Sequence, residues 1–453
     1  MHWFRKALRL HDNPALYEAC KEPVHLIFIL DPTFETQTIS TLRWSFLWDS
    51  LEDLNINLMK HSGRGLTIEY GKPVDVITHY IKNYHVKRIT AEYDCEPYAC
   101  ARDDHVRKLC QEHGVEFELF VSHTLVDPRV GARNVVSFKS FVGKLQVDRQ
   151  PLPVPPKIGN LNTKPFVRKY ERLNTSGGES NAITKWKTIR TSSKIFGFNK
   201  PFTLDTTRLS AYIKFGCISV TVIYNDLLQI PTDESIPLQS KLLGQLYWRE
   251  YFYHYAAITP NFGKIINNPI CKQISWNTNR EWLSRWEYSL TGYPLIDAIM
   301  TELRTTGYLH HMKRQVTACF LTRGDLHLSW IEGAKIFEKY LIDWDWSINN
   351  ANWMWCSGSA FNNQPHNIFD PNKLSLMKGD ADYVRKWLPY ITNPSNPCRG
   401  LPIVQKSFDM KEYDLKYTLD GAVVNGTWYP LPILIHSRSR DPLALYDAET
   451  FRT

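Results

Sequence analysis

Residues 341–364, LIDWDWSINNANWMWCSGSAFNNQ, decide how the rest of the chain is read. Two carboxylates stand two apart (Asp343, Asp345), four indoles crowd beside them (Trp344, Trp346, Trp353, Trp355), and no Gly or Pro interrupts the run before Gly358. An aromatic helix by itself is as consistent with a packed scaffold as with a binding site. The polar content argues for a bound partner, because Asp and Asn are seldom buried unless something satisfies them.

Composition bounds the rest. A chain of 453 residues can bury two cores. Hydrophobic content of 43% and charged content of 22% are those of an ordinary globular protein. A net charge of +8 suits a polyanion such as DNA, and equally a merely basic surface. Nine cysteines, an odd number without a CxxC pair, point to reduced thiols and away from a disulfide scaffold or zinc site. With no signal peptide, long apolar run or lipidation motif, the expectation is a soluble intracellular chain with no membrane contact and no metal.

Residues 1–127 alternate between two periodicities. The runs 24–30 (VHLIFIL), 66–70 (LTIEY), 88–93 (RITAEY) and 117–122 (FELFVS) suit buried strands. Between them, 41–60 places Leu47, Leu51, Leu54 and Leu58 on one helical face, and 98–114 carries Val106, Leu109 and Cys110 before stopping at Gly114. This alternation predicts an α/β doubly wound parallel-sheet N-terminal domain, Rossmann-like, with ligands at the carboxyl edge of its strands. No GxGxxG fingerprint is present. Residues 128–200 read as an interdomain linker, with a proline-rich PLPVPPK at 151–157. Its Lys164, Arg168, Lys169, Arg172, Lys185 and Lys187 either touch phosphates or are simply solvated. Residues 201–453 predict an all-α domain, with helices over 238–257, 279–290, 294–305, 308–323, 330–342 and 347–356. Its many inward Trp, Tyr and polar residues suit a bound planar cofactor.

The 341–364 stretch resembles the flavin-clamping segment of the cryptochrome/DNA photolyase family, animal-type (6-4) photolyase/cryptochrome branch. The resemblance continues, in the family's order, through HWFRKALRLHDNPAL (2–16), TTRLSAYIKFGCIS (206–219), GQLYWREYFY (244–253), TGYPLIDAIMTELR (291–304) and ACFLTRGD (318–325). It implies an all-α FAD-binding domain after the α/β domain, and an antenna chromophore of folate or deazaflavin type in or beside the latter.

Residue roles follow from the resemblance, each beside a plainer reading. Thr206, Thr207 and Ser210 match the place where the family binds the FAD diphosphate; hydroxyls at a helix start also serve as ordinary caps. Arg314 and Asp343 match the pair beside the isoalloxazine ring, with Asp345 and Asn349 at its polar edge and N5 side. Gln245 and His311 also match cofactor-side positions. An amide at 349, where light-sensing insect cryptochromes carry Cys, looks more like the photolyases. Trp353, Trp330 and Trp276 match the tryptophan relay that feeds electrons to the excited flavin, while Trp286 reads as a branch or as core. Gln245, Trp248 and Trp355 match the pocket for a flipped lesion, with Lys214 and Arg249 as charge partners.

Two departures complicate the substrate side. The family repairs (6-4) photoproducts with two histidines four apart; here His311 is present but Gln315 holds the second place, and an amide cannot donate the proton. Beyond the WMW segment, NNQPHNIFDP (362–371) replaces an aromatic wall and brings in Pro365 and His366, the latter either a substitute imidazole or a surface histidine. Three readings stay open. One is a DNA photolyase acting on UV-damaged DNA. Another is a cryptochrome photoreceptor or circadian regulator working through signalling or clock protein partners. The third is a degenerate flavin- or DNA-binding protein. The expected location is nucleus and cytoplasm.

Overall fold

The computed structural model describes residues 1–35, 39–130, 137–161, 164–192, 206–231, 237–238, 241–361, 368–369, 371 and 380–389, and the backbone of three strands between 415 and 430. Five strands, β1 (His2–Phe4), β2 (Leu26–Leu30), β3 (Thr67–Tyr70), β4 (Arg88–Glu92) and β5 (Glu116–Phe120), form a fully parallel sheet in the order β3-β2-β1-β4-β5. Strands covered on both faces must be almost continuously apolar, as LIFIL in β2 is. At three residues β1 is too short to show a period, and the apolar runs of the sequence do not include it. The strand order reverses between β1 and β4, so the loops after those two strands form the edge where doubly wound sheets take ligands.

Helices α1 (Pro14–Ala19), α2 (Thr41–Ser62), α3 (Pro73–Tyr84) and α4 (Pro97–Glu112) connect the strands. On α2, Ser40 caps the start by accepting from the Arg43 amide, Gly63 at φ 70° ends it, and Leu51, Leu54 and Leu58 are fully buried. After the sheet come α5 (Phe138–Lys144), α6 (Glu179–Ile189), α7 (Ser210–Lys214), α8 (Val220–Gln229) and α9 (Leu242–Ile258). They belong with the sheet to one compact unit, which comprises the described residues of 1–198, 205–259 and 342–348.

Two of the sequence motifs interlock inside this unit. Buried Arg9 spends its guanidinium on four backbone carbonyls, those of His11, Asp12, Ser122 and Gly216, at 2.8–3.1 Å. Gly216, at φ 66°, passes so close that a Cβ would lie 1.8 Å from the Lys6 carbonyl oxygen. Segments 2–16 and 206–219 therefore fix each other. The basic linker residues stay largely solvated, with Lys187 exposed and Lys164, Lys169 and Arg172 still 49%, 42% and 63% exposed, but several of them are paired. Lys164 pairs with Glu69, Arg168 with Asp49 (2.9 Å) and Glu52 (3.4 Å), Lys169 with Glu35 and Arg172 with Glu52, while Lys185 lies over the Tyr212 ring. Carboxylates far away in sequence, invisible to local reading, claimed those charges.

Three histidines of this unit are buried neutral. Burial pushes His2 and His123 down to about 3 and His254 down to about 4, with the charges of the chain's amino terminus and Arg5 adding to the effect at His2 and that of Arg249 at His123. Their folded values lie below the unfolded 6.5, so unfolding takes up protons once the pH falls below 6.5, and stability drops from there toward pH 4. Glu250, raised by burial to about 7, has the opposite sign and offsets part of it. These four groups together contribute a net loss of about 2 to 4 kcal/mol between pH 7 and 5, to which His311, lowered to about 3, adds with the same sign. Urea unfolding at the two pH values measures it, and His123→Gln should shrink the difference.

The second unit comprises the described residues of 260–341 and 349–453. It contains α10 (Arg280–Glu287), α11 (Pro294–Thr306), α12 (His311–Cys319), α13 (Trp330–Tyr340), most of α14 (Trp346–Ser357) and α15 (Asp380–Trp387). Behind α12 the chain makes a π-helical turn, Phe320–Gly324. An antiparallel meander, β6 (Leu415–Thr418), β7 (Gly421–Val424) and β8 (Thr427–Pro430), adds strand to a region expected to be helical throughout. The Asn-Gly pair at 425–426, between β7 and β8 in sequence, is the hairpin signal that marks it. No described helix is long and apolar enough to cross a membrane, and no metal-binding cluster occurs among the described residues.

Candidate functional site

In the first unit, charge gathers at the reversal point of the sheet. Lys6, just past β1, pairs with Asp94 at 2.8 Å and reaches Glu96 at 4.0 Å; Arg5 binds Asp103 at 2.6 Å. Asp345 sits in the same electrostatic field. It is buried, its Oδ1 accepts from the Ile348 amide at 3.1 Å, and its Oδ2 accepts from the Tyr253 hydroxyl, with His123 Nε2 at 3.8 Å. Burial opposes its charge, but the His123 contact and the Lys6 and Lys214 ammoniums outweigh that and hold the carboxyl well below its usual range. Asp345 is thus a permanent carboxylate that also caps α14, a role its position before an apolar helix could have announced. Lys214, expected beside substrate, is half-buried and lies 5.5 Å over Trp344, which Arg43 approaches at 5.6 Å.

Helix α9 carries Gln245, Trp248 and Arg249 at the three- and four-residue spacing of one face. Trp248 is half-buried, with Phe138 stacked on one side at 3.8 Å and 3°, so a base needs the opposite side. Arg249 is not a surface charge. Only 8% exposed, it lies over the Tyr253 ring at 4.6 Å and donates through Nη1 to Glu250 Oε1 at 3.2 Å, while Nε and Nη2 are buried with no hydrogen-bond partner among the described residues. Its neighbour Glu250 also accepts from the Leu125 amide at 2.8 Å and is pushed by burial up to about 7, so it neutralises the guanidinium incompletely. A buried cation with two idle N–H groups is costly unless an anion joins it.

Thr206 and Thr207 accept through their hydroxyl oxygens from the amides of Arg208 (3.1 Å) and Leu209 (3.4 Å). Ser210 opens α7, and first-turn amides have no acceptor within their own helix. Hydroxyls, amides and a guanidinium are the donor types that phosphate oxygens require. The burial of Arg249 was not legible in the sequence, because nothing there separates a buried arginine from an exposed one.

In the second unit, Trp353 and Trp330 are fully buried and Trp276 is half-buried. Trp353 packs edge-on against Phe337 at 4.9 Å and Trp286 at 6.2 Å; Trp286 donates its indole N–H to Thr317 Oγ1 at 2.9 Å. Gly333, one turn after Trp330 on α13, makes the seat for Trp353: a Cβ there would lie 2.2 Å from the ring. Gly333→Ala should therefore displace Trp353, cost about 1 to 3 kcal/mol, and slow any electron transfer through that indole; thermal unfolding and flash photolysis check both. Asn349 donates through Nδ2 to the Ala334 carbonyl at 3.2 Å, which fixes the amide and turns its oxygen away from that bond.

On α12, His310 caps the helix by accepting from the Met312 amide at 3.2 Å, and its ring lies 4.9 Å from that of His311. Burial, with the His310 and Arg314 charges, pushes His311 down to about 3, so it is neutral at pH 7. Gln315 is half-buried one turn on; Arg314 donates through Nε to the Leu309 carbonyl at 2.9 Å. Trp355 is half-buried on α14, as is Asp343 just ahead of that helix. Pro365 and His366 lie outside the described residues.

Comparison with known proteins bears on the family and the fold. The families described as "DNA photolyase" and "FAD binding domain of DNA photolyase" match residues 1–156 and 242–445. The chain is similar to Cryptochrome-1 of Rattus norvegicus (38% identical, over 90% of this chain and 77% of the relative) and to the (6-4)DNA photolyase of Arabidopsis thaliana (36%, over 96% and 85%). Its fold is similar to that of a Synechocystis sp. PCC6803 cryptochrome, with a TM-score of 0.80 over 96% of this chain and 95% of the other at 23% identity. The parallel sheet, the helices that follow it and these matches lead to one conclusion: the chain belongs to the cryptochrome/DNA photolyase family and carries its FAD-binding domain.

Proposed function

We propose that the chain is a light-driven DNA photolyase that repairs UV-induced pyrimidine lesions. When bound, FAD supplies blue-light absorption and the transferable electron. The observation that supports the reading is the burial of the indole series of the second unit, Trp353 and Trp330 fully buried and Trp276 half-buried, the gradient that an electron relay from solvent to the interior needs. Thr206, Thr207, Ser210 and Arg249 are assigned to the diphosphate. Asp343 and Asp345, and in the second unit Asn349 and Arg314, match the family positions that would hold the flavin ring: Asp345 would supply a charged acceptor and Asn349 a neutral amide. A folate- or deazaflavin-type antenna at the carboxyl edge of the sheet has to sit over, or displace, the Lys6–Asp94 and Arg5–Asp103 pairs.

For the substrate, Trp248 and Trp355 offer aromatic faces and Gln245 a hydrogen-bonding amide to a flipped dinucleotide. Repair of a cyclobutane dimer needs an electron but no obligatory proton from the pocket, whereas the (6-4) product needs an acid. His311 is uncharged at neutral pH and Gln315 cannot donate a proton, so cyclobutane dimers are the expected substrate. DNA as substrate implies residence in the nucleus. The same pair also favours a second reading, a cryptochrome photoreceptor that signals through protein partners.

One assay separates them. UV-irradiated oligonucleotide is incubated with the FAD-loaded protein under blue light, and lesions are counted by chromatography. Cyclobutane dimers should disappear while (6-4) products persist; loss of neither lesion favours the photoreceptor.

A further inference from the structure

Trp276 has a histidine held against it. The rings of Trp276 and His327 lie 5.1 Å apart at 45°. The contact is built by the backbone: the Asn277 amide donates to the His327 carbonyl at 2.7 Å, Asn277 and Leu328 form a parallel bridge, and the His327 amide donates to Thr322 at 2.8 Å. His327 adopts φ 50°, left-handed backbone that a non-glycine residue keeps only when its surroundings impose it.

The imidazole's hydrogen bond fixes where its proton sits. His327 Nε2 is 3.0 Å from the Ser275 carbonyl, which can only accept, so Nε2 carries the hydrogen and Nδ1 is the basic nitrogen. Burial lowers the proton affinity of the ring, which therefore stays neutral, and able to accept, at pH 7. Trp276 Nε1 is buried with no hydrogen-bond partner among the described residues. An indole N–H is a weak acid until the ring loses an electron; the radical cation is a strong one.

We propose that His327 is the base that takes the Nε1 proton of Trp276 when that indole is oxidised. The electron leaves Trp276 inward along Trp330 and Trp353, with a photoexcited flavin as the one-electron oxidant. The N–H bond of Nε1 then breaks, its electron pair stays on nitrogen, and the proton bonds to Nδ1 of His327, directly or through one water. The products are a neutral indolyl radical and an imidazolium; re-reduction of the indole returns the proton. Charge recombination is slowed because the positive charge no longer resides on the indole.

This rests on Trp276 being the outer member of the relay, and the test distinguishes the two claims. A blue flash on the FAD-loaded chain is followed by transient absorption, which resolves indole radical cation from neutral radical. His327→Asn tolerates left-handed backbone and can still donate to Ser275, but it offers no base; His327→Gln is the second variant if the first folds poorly. Conversion of cation to neutral radical should slow about tenfold or more in the variant, with FAD content unchanged, and added imidazole should restore it. Unchanged conversion overturns the proposal. Absence of any indole radical in the unaltered protein overturns the relay reading, and the proposal with it. In the dark, nitrogen NMR should find His327 protonated on Nε2; protonation on Nδ1 also overturns it.

Discussion

Replacing Arg249 with methionine should strip the protein of FAD and, without FAD, make it more stable. The two effects have one cause. Arg249 Nε and Nη2 are buried without a partner among the described residues, and Glu250 beside them is a weak counter-charge because burial raises it to about 7. Two charge-assisted hydrogen bonds to a diphosphate are worth about 3 kcal/mol or more, so the variant should bind FAD at least about a hundredfold more weakly. In the cofactor-free protein the same change removes an incompletely compensated buried cation while keeping most of the side-chain volume, and Glu250, already raised to about 7, becomes neutral without the guanidinium that held it down, so no buried charge is left behind and the net effect is stabilising. Thermal unfolding with and without FAD therefore shifts in opposite directions. A variant that loses stability in both states would make Arg249 a structural residue.

Replacing Trp330 with phenylalanine should abolish blue-light reduction of bound FAD while leaving FAD content intact. Trp330 is fully buried at the first turn of α13, where Ser329 caps the helix by accepting from the Ile331 amide at 3.3 Å. Phenylalanine fills most of that space, at a cost of about 1 to 3 kcal/mol, but its ring is far harder to oxidise. The competing route is Trp286, whose ring lies 6.2 Å from that of Trp353. If Trp330→Phe keeps its photoreduction and Trp286→Phe loses it, the branch carries the current. If neither loses it, the indole series is only core.

Much of this was legible in the sequence where a side chain's role depends on its near neighbours. Apolar runs marked four of the five strands, and helical periodicity marked α2, α9 and α11 to α14 to within a few residues, because burial of one face leaves a period behind. Roles set by distant partners were not legible. Lys169 and Arg172 are solvated as a local reading allows, but their pairing with Glu35 and Glu52 could not be read from the sequence around them. The burial of Arg249 was hidden as well, since burial is a property of the fold and not of the tripeptide around it. Gly333 was silent because its meaning lies in the Trp353 ring that fills its missing Cβ. His327, three residues before Trp330, acquires its interest only when the backbone brings it onto Trp276.

The most direct measurement is the absorption spectrum of the purified chain, or of the chain refolded with FAD, before and during blue irradiation. A yellow protein with equimolar FAD that bleaches under blue light is the predicted result. A colourless protein that takes up no FAD on reconstitution would contradict the account at its base.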